Sequence, residues 1–486
     1  MSNKLSRLLP GVLFLMTTIV PGMTAQTTFT SETFATGPSA SGVVSGDFNR
    51  DGKPDLAIAD DQANRINILL GTGGGHFTFG ASYNTGNSPL QVVTGDFNHD
   101  GNLDLIADNS DQSLTILFGN GDGTFRAGPK FTFSEDINEI VAGDWNHDGL
   151  PDLAAVTCHT NFPPVNCSLL VLRNTGGNFA IAQTIPVGSV PFRGGMISDD
   201  FNIDGSADLA LSLDKNVQIY TNNGTGNFTL HTTVTPPAPY VVVDIFSSRL
   251  VAHAQPDLLM LVVDPNDGNA TDFVDAFLNS GKGTFSFKSK TPTGNFQTSV
   301  FAADLNGDHI DDLITIGSHV KAPGLWYALG KGDGTFGPIT SVGADINGPA
   351  GAFLVRDLNS DSRHDMVGTI SGDGPPTMDG AAVIFLNDNA TTNCTPPSSA
   401  RLSVHICSPA ANATVGTSVT VRASGNSPTG VKRVELWVDG AKRAQIFNDQ
   451  LKATISLAPH ATHKLTLISV DLYDAQAKQS IYVHTP

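Results

Sequence analysis

The chain is 486 residues long, with four cysteines, 50 glycines and a formal charge of −19. An acidic balance of that size excludes nucleic acid and anionic membranes as partners, because like charges repel. Charged residues make up only 15% of the chain, which, beside so much glycine, excludes a disordered acidic tail and describes a turn-rich β protein.

At the N-terminus Lys4 and Arg7 precede an apolar run over residues 8–20, interrupted by Pro10, and Met23-Thr24-Ala25 offers a small-residue cleavage site. That order predicts a cleaved signal peptide over residues 1–25 and a secreted or extracytoplasmic protein. The run is too short to cross a bilayer, which needs about 20 apolar residues, so no transmembrane segment is expected in the mature chain. Loss of Lys4 and Arg7 takes the formal charge from −19 to −21.

Residues 27–37, TTFTSETFATG, read as a strand without a blade of its own. A decapeptide then recurs: DFNRDGKPDL from Asp47, DFNHDGNLDL from Asp96, DWNHDGLPDL from Asp144 and DFNIDGSADL from Asp200. Two looser copies, DLNGDHIDDL from Asp304 and DLNSDSRHDM from Asp357, keep acid or amide at positions one, three, five and nine. Between them VVVDIF around Asp244 and QPDLLMLVVD around Asp257 keep the flanking strands without the acidic loop. Starts at 47, 96, 144, 200, 244, 304 and 357 lie 44 to 60 residues apart, a propeller or solenoid period.

Each unit reads as four strands, with the acidic loop after the first and a glycine-rich turn before the fourth; unit one shows GVVSGDF, DLAIAD, INILLG and a strand from Phe77. The turn phenylalanines Phe77, Phe125, Phe179, Phe228, Phe285 and Phe336 are expected between blades. The seventh unit has only three strands, so residues 27–37 are expected to supply its fourth and close the ring, leaving no open edge there. This makes residues 26–392 a seven-bladed β-propeller. Cys158 with Cys167, and Cys394 with Cys407, are the expected disulfides in an exported chain. The proline-containing segment 393–399 reads as a linker, and the short strands of residues 400–486 as an immunoglobulin-like β-sandwich. The whole chain is therefore expected to be all-β.

The decapeptides resemble the FG-GAP, or VCBS-type, repeats of integrin-α-like propellers, and residues 400–486 resemble bacterial Ig-like modules. The resemblance implies one calcium ion per intact loop, held by side chains at positions one, three, five and nine and by the backbone carbonyl at seven. In this sequence those are Asp47, Asn49, Asp51, Lys53 and Asp55; Asp96, Asn98, Asp100, Asn102 and Asp104; Asp144, Asn146, Asp148, Leu150 and Asp152; and Asp200, Asn202, Asp204, Ser206 and Asp208. The looser copies contribute Asp304, Asn306, Asp308, Ile310 and Asp312, and Asp357, Asn359, Asp361, Arg363 and Asp365. Oxygen-rich loops of this kind suit calcium, which takes six to eight oxygen ligands. Gly52, Gly101, Gly149 and Gly205 stand at the bend, where the looser copies have His309 and Ser362. About six structural calcium sites are expected, and none in the fifth unit.

No nucleophile elbow, zinc-protease helix motif, Cys-x-x-Cys pair or phosphate loop occurs. The expected function is therefore non-enzymatic: extracellular binding or adhesion to a glycan or protein ligand. A polysaccharide lyase or hydrolase on the same scaffold, and a purely structural surface component, remain as alternatives, since fold does not dictate function.

Overall fold

The computed structural model describes residues 29–486 except 162–163, 191–194, 238–239, 252–254, 265–271, 295–296, 318–323, 343–349, 362, 371–379, 388–402, 410–411, 427–430, 447–449 and 472–474. The signal-peptide, linker and Cys394 assignments fall outside the described residues. All regular structure is β. Six sheets follow the chain in order: blade one, for example, runs Ala40–Gly46, Asp55–Asp60, Arg65–Gly73 and His76–Asn84, each strand antiparallel to the last. Blade two differs in its outer edge, where Phe125–Ala127 and Phe131–Thr132 both pair with Ser113–Gly119.

The second strands, such as Asp104–Asn109 and Asp312–Gly317, are buried at every residue, on both faces. That is why consecutive apolar residues, such as Leu105-Ile106-Ala107, follow the repeated aspartate in place of an alternating pattern, since a blade's middle strand has a neighbouring blade on each side. Position two of each decapeptide enters the same layers. Phe48 meets Phe125 edge-on at 5.5 Å, Trp145 meets Phe228 at 5.5 Å, and Phe201 meets Phe285 at 5.8 Å, each joining an acidic loop to the turn phenylalanine of the next blade. The turn phenylalanines thus pack between blades, and Trp145 is core.

Blade seven combines Ala350–Arg356, Asp365–Ile370 and Gly380–Asn387 with the N-terminal strand Phe29–Gly37. That strand pairs antiparallel with Gly380–Asn387, from Phe29 opposite Asn387 to Gly37 opposite Gly380. Phe29 is buried against Tyr327 of blade six at 6.2 Å, and Phe34 lies 5.9 Å from Phe77 of blade one. One strand therefore contacts three blades.

Its other edge is also occupied. Thr30 pairs with Ile446 and Ser31 with Gln445, so blade seven continues through the N-terminal strand into the C-terminal domain as one nine-stranded sheet. Nothing in the sequence announces this junction. The C-terminal domain faces that sheet with a second one, Ser403–Ser408, Ser418–Asn426 and Gln450–Ser456, around buried Val421, Leu436, Leu451, Leu465 and Leu467. Burying each such side chain contributes about 1.5 to 3 kcal/mol. Trp437 is only partly buried and donates its ring N–H to Glu435 at 2.9 Å.

Cys158 and Cys167 are disulfide-bonded, with Cα atoms 4.1 Å apart, across the connection between Asp152–Cys158 and Cys167–Asn174. A small hairpin, Thr160–Asn161 with Pro164–Val165, lies inside the loop they close.

Candidate metal centres

Each acidic loop joins an inner strand to a second strand, so all of them lie at one end of the ring. Within the first loop, Asp47 Oδ1 and Asn49 Oδ1 both accept the Asp51 N–H, at 3.0 and 2.9 Å. Asp47 Oδ2 accepts from Gly52 N–H at 2.9 Å and Asp51 Oδ1 from Lys53 N–H at 2.9 Å. The oxygens of positions one and three are drawn to one amide, and position five caps the exit. The same bonds recur from Asp96, Asp144, Asp200 and Asp304. From Asp357 the bonds to Asp361 and Arg363 are present.

The winding depends on two left-handed residues. Position six is Gly at φ 80° to 88° in four loops, and His309 adopts φ 65° in the loop from Asp304. Position four is left-handed as well, and usually not glycine: Arg50, His99, His147, Ile203 and Ser360 have φ between 58° and 63°. A non-glycine residue there carries backbone strain. The sequence offered no sign of it, because those side chains share no chemistry.

Position nine behaves differently from the other three. Asp55 Oδ2 accepts from Phe48 N–H at 2.8 Å and its Oδ1 from Gly71 N–H at 2.7 Å, tying the loop to the third strand. Asp104, Asp208, Asp312 and Asp365 repeat both bonds, and Asp152 bonds Asn174 N–H. All are almost wholly buried. Burial pushes Asp104 and Asp208 up to about 6, and Asp312 and Asp365 up to about 7, partly offset by the amide donors.

Position nine thus stands on the blade side of each loop, where its carboxylate accepts from backbone amides. A carboxylate inside a blade would be stranded without hydrogen bonds, and position nine spends its oxygens on backbone amides. Among the described residues no three His, Cys, Asp or Glu side chains come together as a metal-holding group. The donor chemistry at positions one, three and five still suits a hard cation, being two carboxylates and an amide oxygen on one exposed bend. In three loops a side-chain cation already stands beside position five: Lys53 Nζ lies 2.9 Å from Asp51, Arg126 3.8 Å from Asp100, and Arg363 3.3 Å from Asp361. The Lys53 hydrogen bond holds the Asp51 carboxyl below its usual range.

The fifth unit keeps the position-nine device and has lost the rest. Asp257 accepts from Leu250 N–H at 3.1 Å and from Asn279 N–H at 2.9 Å, the same pair of bonds. Its position one is consequently Arg249, not Asp244, and the starts become 48 to 56 residues apart. Asp244 instead lies on the inner strand Val241–Ser248, where it accepts from Val300 N–H of blade six at 2.9 Å. A further set of residues escaped the sequence reading. Asn174, Asn222, Asn279 and Asn387, each ending a third strand, donate their side-chain amides to the position-two carbonyls of Phe97, Trp145, Phe201 and Leu305 in the preceding blade, at 2.6 to 2.8 Å. The asparagine that opens the NTGGNF, NNGTGNF and NSGKGTF segments, from Asn174, Asn222 and Asn279, was the available signal.

Comparison with known proteins bears on these repeats. The FG-GAP-like repeat model matches residues 47–107, 105–155 and 254–315, and the bacterial Ig domain model matches residues 403–467. No curated protein matches the chain. Among solved structures, BBS1N in complex with ARL6DN is similar at 14% identity, covering 74% of this chain and 96% of that one, with a TM-score of 0.49. Sqt1 of Saccharomyces cerevisiae is 12% identical over 74% of this chain and all of its own, at 0.47. A Lactobacillus plantarum protein is 13% identical over 63% of this chain and 86% of its own, also at 0.47.

Proposed function

We propose, for a chain built of FG-GAP-like repeats and a bacterial Ig domain, an extracellular binding or adhesion module whose ring is stapled by calcium. The observation that carries the reading is the repeated acidic bend at one end of the ring, with positions one and three hydrogen-bonded to the same amide in loop after loop. Calcium would be held by the position-one and position-five carboxylates, the position-three amide oxygen and the position-seven carbonyl, with position nine behind them. The ion would relieve the repulsion between carboxylates in each loop. The disulfide of blade three accords with an oxidising, extracytoplasmic setting. No helix among the described residues is long and apolar enough to cross a membrane.

The ligand in this reading is a glycan or a protein, and the disc works without catalysis. The test is chelation. With the ion tenfold above its dissociation constant, each site stabilises the fold by about 1.4 kcal/mol. Chelator should lower the melting temperature sharply, Asp100→Ala should reproduce part of the loss, and elemental analysis should find several calcium ions per chain. Melting indifferent to chelator, with near-zero bound calcium, overturns the staple.

A further inference from the structure

The seven inner strands enclose a cavity of about 610 Å³ in the half of the ring away from the acidic loops. Six of the seven carry a register bulge at matching places: between Ala40 and Gly42, Pro89 and Val92, Ile137 and Glu139, Val242 and Asp244, Gln297 and Ser299, and Ala350 and Phe353. A bulge turns successive side chains to a new face, and such bulges cluster beside binding sites. Here they bring Gln91, Glu139, Asp244 and Ser299, equivalent residues of four blades, to one height on the cavity wall.

The wall is divided by chemistry. Blades five to seven contribute Phe246, Phe301 and Phe353, partly exposed and in a chain of ring contacts at 5.5 and 5.4 Å. Blades three and five contribute the carboxylates of Glu139 and Asp244. Asp244 is fixed by neutral donors, the N–H groups of Ile245 and Val300, both at 2.9 Å. Among the described residues lining the cavity there is no Lys, Arg or His. A confined wall of aromatic faces and carboxylates, without a basic side chain, attracts a cation that also carries apolar surface.

We propose that this central cavity binds a small organic ammonium, its charge beside Glu139 and Asp244 and its apolar body against the phenylalanines. The proposal rests on the binding-module reading, and it is independent of calcium, which concerns the other end of the ring.

Calorimetric titration of the full chain tests it with 2-phenylethylammonium and with 2-phenylethanol, its neutral counterpart. The ammonium should bind saturably, one per chain, and at least about tenfold more tightly than the alcohol. Glu139→Gln should weaken the ammonium about tenfold while leaving the alcohol unchanged, and Phe301→Leu should weaken both. Should Glu139→Gln lower the melting temperature, Ser299→Lys, which places an ammonium of its own in the cavity, should abolish ammonium binding. Equal affinity for the two probes, no binding of either, or full ammonium binding by Ser299→Lys overturns the proposal. Calcium content, measured on the same samples, reports separately on the staple.

Discussion

Residues in the acidic loops are placed by backbone geometry as much as by charge. Gly205, at φ 88°, has open space where a Cβ would stand, so Gly205→Ala tests the backbone alone. It should cost about 1 kcal/mol, and His309→Gly in the loop from Asp304 should gain a similar amount, both read from denaturant midpoints in chelator. No change in either would remove the strain argument. Asp244 offers a pH test. Burial pushes it up to about 7, against the two amide hydrogen bonds that pull it down. Because the folded state binds that proton more tightly than the unfolded chain, its contribution is fully present below about pH 4 and is lost as pH rises through about 7. The wild type should therefore lose stability relative to Asp244→Asn between pH 4 and pH 7.5, and parallel melting curves across that range would refute the shift. Position nine was legible as an acid in the sequence, but its inward role was not. Hydrogen bonds to amides 14 to 22 residues away leave no mark on spacing within the decapeptide.

Elements follow the sequence closely where burial is symmetric. Second strands are buried throughout because blades cover both their faces, so an unbroken apolar stretch follows the repeated aspartate at which they begin. The connection in blade three is held by Cys158 and Cys167, nine residues apart. On the loop-entropy account, replacing both with serine should lower stability by about 2 to 3 kcal/mol, measured by denaturation against the wild type in oxidising buffer. An unchanged midpoint would mean the hairpin within the loop already restrains it. Inner-strand bulges were not legible, because a single inserted residue in a short polar strand alters no periodicity that can be counted.

The molecule as a whole is joined at the N-terminal strand, which has blade seven on one edge and the C-terminal domain on the other. Covering an edge removes unpaired backbone groups from solvent and blocks pairing with other chains. Ser31 and Gln445 stand directly opposite each other, so Ser31→Cys with Gln445→Cys should cross-link within one chain on mild oxidation and raise the melting temperature of the ring. Failure to cross-link would separate the two domains.

The sequence by itself determined the all-β class, the sevenfold period, the acidic loops and the sandwich after them. These are local or periodic properties: a turn needs its glycine, a doubly covered strand its apolar run, and a repeat announces itself in each copy. Only the tertiary structure decided that position nine faces inward, that Arg249 heads the fifth unit, that asparagines clasp neighbouring blades, and that the C-terminal sheet adds to the closing strand. Each of these depends on a partner distant in the chain, and backbone groups, which every residue carries alike, supply most of the contacts.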